Sequence, residues 1–142
     1  MDGKKTMLIA DDAKINRVIL RQLFQGEYEI LEAADGREAI RRLREVDVKI
    51  ILLDLAMPEM DGLEATRRIR ETHSANSLPI IAMTANAFLE DMQKSREAGM
   101  DEHLSKPVDI AALEQTVKRF RVIPPKINSG QARFRRGSTQ TM

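Results

Sequence analysis

Short runs of apolar residues recur along the chain: Met7-Leu8-Ile9-Ala10, Tyr28-Glu29-Ile30-Leu31, Ile50-Ile51-Leu52-Leu53, Ile80-Ile81-Ala82-Met83 and the weaker His103-Leu104-Ser105. Nearly continuous apolar runs of this length suit strands covered on both faces, as in a parallel sheet. Between them the spacing turns helical. Ile15, Val18, Ile19 and Leu23 recur at three- and four-residue steps, as do Ala39, Ile40 and Leu43, then Leu63, Thr66 and Ile69. Ala87 to Ala98 and Ile110 to Phe120 complete the series. Strand then helix, five times over, predicts an α/β doubly wound domain.

Punctuation supports this register. Asp35-Gly36 opens the second helix, and Asp61-Gly62 precedes the third, with Glu64 in its first turn. Pro79 precedes the fourth strand, and Gly99 stops the fourth helix. Asp109 is the expected N-cap of the fifth helix, which Pro124-Pro125 ends. These marks place a domain at residues 1–122 and a disordered tail at 123–142.

Charge sharpens that division. The tail holds Lys126, Arg133, Arg135 and Arg136 and no acid. The body therefore keeps 19 basic against 22 acidic residues, a mildly acidic balance unlike the clustered basic surface of a nucleic-acid-binding domain. The tail reads first as an unstructured extension, then as weak attraction for an acidic partner or nucleic acid, last as the stub of an output domain. At 142 residues there is room for one domain. Aromatics are only 4%, so the core must be aliphatic, and the absence of Cys excludes disulfides, thiolate metal sites and a cysteine nucleophile. No apolar run could span a bilayer, and Met1-Asp2-Gly3-Lys4-Lys5 does not look like a signal peptide, so a cytoplasmic protein is expected.

In an open parallel sheet, ligands bind outside the carboxyl ends of the strands. The first strand ends in Asp11-Asp12, the third in Asp54, the fourth in Thr84, and Lys106-Pro107 follows the fifth. Asp11 and Asp12 alone could be helix caps. With Asp54 and Lys106 they become three carboxylates, a hydroxyl and an ammonium at one edge. Close carboxylates repel unless a cation intervenes, and a hard divalent ion such as Mg²⁺ answers that problem. Such a set reads as a phosphoryl-binding site with a carboxylate nucleophile, and Asp54, at the end of the most apolar strand, is the best candidate.

Ile9-Ala10-Asp11-Asp12, the block Leu53-Asp54-Leu55-Ala56-Met57-Pro58-Glu59-Met60-Asp61-Gly62, Ala82-Met83-Thr84-Ala85 and Ser105-Lys106-Pro107 together resemble the signature blocks of two-component response-regulator receiver domains. The resemblance covers about residues 5–122. It implies a flavodoxin-like (βα)5 fold with strand order 2-1-3-4-5. It further implies that Asp54 takes a phosphoryl group from a histidine kinase or histidine phosphotransfer protein. Asp12, Asp54 and the Ala56 carbonyl would ligate Mg²⁺ directly, with Asp11 assisting through water. Thr84, followed by Ala85, and Lys106 would hold phosphoryl oxygens, and the Lys106–Pro107 bond would be cis. Ala56 and Asn86 fall where the family tunes dephosphorylation. Lys14, Asn16 and Arg17 on the first helix would be exposed for docking the donor. Output would be altered partner affinity at the face of the fourth helix, fifth strand and fifth helix, in a monomer or a phosphorylation-dependent dimer.

The chain departs from the family at His103, which stands where a Tyr or Phe is usual, and at Ala56, which cannot hydrogen-bond a water. The rival reading is a Mg²⁺-dependent phosphohydrolase with an aspartyl-phosphate intermediate. It would want a second carboxylate two residues after the nucleophile, where this chain has Ala56. The expectation is a switch that catalyses only its own phosphorylation and dephosphorylation.

Overall fold

The computed structural model describes residues 4–85 and 89–121. The chain alternates β1 (Lys5–Ala10), α1 (Lys14–Phe24), β2 (Tyr28–Ala33), α2 (Gly36–Glu45), β3 (Val48–Asp54), α3 (Gly62–Arg70), β4 (Ile80–Thr84), α4 (Leu89–Ala98), β5 (Glu102–Ser105) and α5 (Ile110–Arg121). The strands form one sheet in the order β2-β1-β3-β4-β5, every pair parallel. This is the doubly wound five-stranded sheet that the sequence pattern and the resemblance predicted. The basic tail and Asn86 lie outside the described residues.

The central strands β1, β3 and β4 are apolar on both faces because each face meets a different layer of helices. Leu8 and Ala10, Ile51 and Leu53, and Ile80 and Ala82 point into one cluster with Ala39, Ile40 and Leu43 of α2 and Leu63 and Ile69 of α3. Met7 and Ile9, Ile50 and Leu52, and Ile81 and Met83 point the other way, against Leu20 and Phe24 of α1 and Leu113 and Val117 of α5. The alternation is the two-residue period of a strand. Burying each of the larger of these side chains contributes about 1.5–3 kcal/mol.

Local chemistry fixes the helix starts. Asp35 accepts from Glu38 N–H (2.8 Å) while the Glu38 carboxylate accepts from Ala34 N–H (2.8 Å), a reciprocal cap. Asp61 caps α3 through Glu64 N–H (2.9 Å), and Asp109 accepts from Ala111 N–H (2.9 Å). The residue before α1 is Ala13, which makes no side-chain cap, so neither Asp11 nor Asp12 is the helix cap. Gly99, at φ +112°, ends α4 in a backbone conformation that other residues rarely adopt.

Candidate functional site

Strand register assembles the site. Ala10 pairs with Leu53, so Asp11 and Asp54 leave adjacent strands at the same level. Asp54 pairs with Met83, and Thr84 with Ser105, so Thr84 and Lys106 arrive at the same edge. Asp11, Asp12 and Asp54 each place a carboxylate oxygen within 4.8 Å of the others. Asp11 and Asp54 are buried at 1% and 3% exposure, whereas Asp12 is open to solvent.

Lys106 Nζ lies 3.2 Å from Asp54 Oδ1 and 3.4 Å from Asp11 Oδ2, bridging the two buried acids. Its backbone N–H donates to Thr84 O (2.7 Å), and the Lys106–Pro107 peptide bond is cis. Burial pushes the Asp54 carboxyl above the usual carboxylate range. The Ala56 N–H (3.2 Å) and Lys106 oppose that rise, and the charge of Asp11 adds to it. Burial alone would lower the Lys106 ammonium, but the facing carboxylates of Asp54 and Asp11 raise it, so it stays charged.

The other expected residues fall into two groups. Thr84 is buried at the end of β4 and Ala85 is exposed just after it. Ala56 is exposed beside Asp54. His103, on β5 opposite Ala82, borders a cavity of about 60 Å³ with Met92, Ser95 and Met100. Lys14 is exposed on α1.

Arg17 corrects the sequence reading. Its Nη1 donates to the Asp11 carbonyl (2.7 Å) and its Nε to Glu32 (2.9 Å), so it is held in the fold with its side chain 15% exposed. Asn16 likewise turns inward, its Nδ2 lying 3.3 and 3.4 Å from the Asp11 carboxylate oxygens. Both are half-buried because the first turn of α1 runs directly over the end of β1. What α1 presents to solvent instead is Ile15 and Ile19, 65% and 45% exposed.

A second polar centre, half-buried, was not anticipated. Arg70, at the end of α3, donates to Gly99 O (2.8 Å), Leu78 O (2.8 Å) and His73 O (3.3 Å) and pairs with Asp101 (2.8 Å). Asp101 also accepts from Ile80 N–H (2.8 Å). The start of β4 and the α4–β5 turn are thereby fastened to α3. Spacing carries no signal for it, since the partners are distant in sequence and each alone resembles a surface charge.

Residues 7–118 match the family model of the response regulator receiver domain. The chain belongs to the response-regulator receiver family. The receiver is 43% identical over 112 residues to the sensor histidine kinase RcsC of Salmonella typhi, covering 78% of this chain but 12% of that protein. It is 31% identical over 117 residues to the polar-differentiation response regulator DivK of Brucella ovis, covering 82% of this chain and 95% of that one. Among solved structures it superposes with TM-score 0.75 and 32% identity on the receiver domain of a sensor histidine kinase from Pseudomonas aeruginosa PAO1, over 83% of this chain and 98% of the other. That structure carries a magnesium ion coordinated in its active-site cleft. The chemotaxis protein CheY4 of Vibrio cholerae matches with TM-score 0.77 and 28% identity, over 83% and 99%. This chain is therefore a receiver domain of two-component signalling, and its pocket of Asp11, Asp12 and Asp54 has the character of the phosphorylation site of such domains.

Proposed function

We propose that Asp54 is the phosphoacceptor of this receiver, taking its phosphoryl group from a histidine kinase or a histidine phosphotransfer protein. The observation that carries this reading is the buried Asp54 carboxylate, set among Asp11, Asp12 and Lys106. In the transfer, a carboxylate oxygen of Asp54 bonds to phosphorus as the phosphorus–nitrogen bond of the donor breaks, and the electron pair leaves with the imidazole. Lys106 faces the oxygens of the incoming group and the Thr84 hydroxyl donates to another.

The donor set fits Mg²⁺: three hard carboxylate oxygens clustered at one point, two of them from buried acids. Asp11, Asp12, Asp54 and the Ala56 carbonyl would hold it. When bound, the ion supplies charge that screens the carboxylates from each other and draws phosphoryl oxygens in. Asn16 keeps the Asp11 carboxylate oriented, and Arg17, through the Asp11 carbonyl, fixes the turn that carries both acids.

Donor docking belongs to Lys14 and the exposed Ile15, Ile19 and Ile110. Ile19 and Ile110 line an apolar groove of about 300 Å³ that reaches Asp11, Asn16 and Lys106, while Lys14 and Ile15 are exposed on the same helix as Ile19. Phosphorylation adds about −1.5 to −2 charge, drawing Thr84 and Lys106 inward and altering the affinity of the α4–β5–α5 face for a partner. His103 stands on that route, and Ala56 and Asn86 set the lifetime of the phosphorylated state. Ala56, in place of a carboxylate, favours a switch over a turnover phosphohydrolase. We assign residues 1–122 to the receiver and 123–142 to a basic tail, acting in the cytoplasm as a monomer or phosphorylation-dependent dimer. No described helix is long and apolar enough to cross a membrane.

The test is intact mass after incubation with acetyl phosphate and Mg²⁺. One phosphoryl adduct per molecule is expected, absent in Asp54→Asn. No adduct, with a phosphohistidine donor also tried, would sink the reading in favour of a scaffold.

A further inference from the structure

The four arginines of α2 divide sharply. Arg42 turns to the sheet edge, donating to Glu32 O (3.3 Å) and approaching Glu38 (3.6 Å). Arg37, Arg41 and Arg44, spaced four and three residues apart, share the opposite stripe, where they line a groove between α2 and α3 of about 600 Å³. Arg68 of α3 stands across it, and Ile40, Leu43 and Ile69 form its floor. Arg37 and Arg44 have no ion-pair partner among the described residues, and Arg41 reaches Glu38 only at 3.7 Å. Glu71 is the one acid lining the groove among the described residues. Like charges at three- and four-residue spacing cost an isolated helix about 0.2–0.5 kcal/mol per pair, and a fourth cation, Arg68, faces them while paired with Glu64 at 2.9 Å. The concentration is notable in a body whose net charge is −3.

We infer that the α2–α3 groove is a docking surface for an acidic amphipathic segment of a partner protein, independent of the phosphoacceptor site. Charge complementarity sets the acidic rim of the occupant. Arg37 and Arg44, without an ion-pair partner among the described residues, favour paired, in-plane hydrogen bonds to carboxylates. The aliphatic floor sets its apolar stripe, in the manner of a helix laid in a groove. A nucleotide is the weaker match, because no Phe, Tyr or Trp lines the groove and His73 supplies its one ring. The groove belongs to the opposite sheet face from α1 and α5, so an occupant here leaves the groove beside Asp11 and Lys106 open.

The test uses the ¹⁵N-labelled full chain and a synthetic helical peptide with Leu on one stripe and Glu on both flanks. A Lys-for-Glu peptide, a scrambled peptide and inorganic triphosphate serve as comparisons. Amide shifts are expected in α2 and α3 for the Glu peptide alone. Affinity should fall about tenfold or more in Arg37→Glu/Arg44→Glu, whose exposed positions leave the fold intact by its own amide spectrum. It should also fall between about 50 and about 300 mM NaCl. Shifts confined to residues 123–142, an undiminished affinity in the double variant, or equal binding of scrambled peptide or triphosphate would overturn the inference. Because none of these readouts involves phosphorylation, failure of Asp54 to accept a phosphoryl group would not be mistaken for failure here.

Discussion

Lys106 Nζ sits 3.2 Å from Asp54 Oδ1 while also approaching Asp11 at 3.4 Å, so a single ammonium is shared between two buried carboxylates. One cation between two anions leaves the pair under-compensated, which accords with the raised proton affinity of Asp54. The arrangement holds the site ready for additional positive charge at the cost of stability.

That cost predicts the behaviour of Asp54→Asn. A group whose folded pKa is raised stabilises the fold at acid pH, and the contribution is lost as pH rises through the folded value. At pH 7 without Mg²⁺ the ionised Asp54 therefore burdens the fold, and Asp54→Asn should stabilise it by about 1 kcal/mol, roughly 3–5 °C in Tm. The gain should shrink as pH falls below the raised pKa, and Mg²⁺ should stabilise only the parent chain. Calorimetry across pH with and without the ion checks both; a variant less stable at pH 7 would contradict the account.

Gly62 is predicted to be indispensable to the site although it carries no chemistry. A Cβ there would lie 2.6 Å from the Asp54 carbonyl oxygen and 2.9 Å from Leu55 Cα, and backbone cannot move aside as a flexible side chain can. Gly62→Ala should cost about 1–3 kcal/mol and push the Asp54 segment out of place. Urea unfolding and the rate of adduct formation with acetyl phosphate should both report it; a normal rate would show that the loop absorbs the methyl group elsewhere.

How much of this was legible in the sequence follows from what kind of information each feature needs. Leu8 and Ile9, or Ile51 and Leu52, are apolar together because both faces are covered, and a run of four such residues is visible without coordinates. The site was legible because parallel strands end on one side, so residues after each run must converge. The roles of Asn16 and Arg17 were not, since a polar residue on the first turn of a helix looks the same whether it meets solvent or Asp11. Arg70 and Asp101 are 31 residues apart, and only the folded chain shows that each answers the burial of the other.

Glu32 should act as an acid-side determinant of stability. Burial would raise its carboxyl, but hydrogen bonds and charge from Arg21 and Arg17 outweigh that and hold it below the usual carboxylate range. A lowered folded pKa gives stability that is present above the unfolded value and lost as pH falls through the folded one. Glu32→Gln should cost about 1–2 kcal/mol at pH 7. The difference should close toward pH 3. Parallel stability curves at all pH values would show that the Arg17–Glu32–Arg21 cluster contributes nothing electrostatic.

Arg70 makes four contacts from a side chain 14% exposed, and its removal leaves the Asp101 carboxylate without its cation. Burial already raises the Asp101 carboxyl, which the Ile80 N–H and Arg70 oppose. Arg70→Met should therefore cost about 1–3 kcal/mol, the loss of charge-assisted hydrogen bonds at a half-buried pair. Arg70→Lys should recover little, because one ammonium cannot reach Gly99, Leu78 and Asp101 together. Denaturant midpoints decide it, and a full rescue by Lys would mean that charge alone matters there.

Ala56, exposed two residues beyond Asp54, has a methyl group that offers nothing to orient an attacking water. Hydrolysis of an Asp54 acyl phosphate needs a water aligned with phosphorus from the side opposite the bond that breaks. A side-chain amide at this position can hold such a water through both donor and acceptor. Ala56→Asn should accordingly shorten the lifetime of the phosphorylated chain severalfold while leaving the adduct yield at early times unchanged. The decay of the phosphoryl adduct, followed by intact mass after the donor is removed, measures this directly. An unchanged lifetime would place control of hydrolysis elsewhere, with Asn86 the next position to vary.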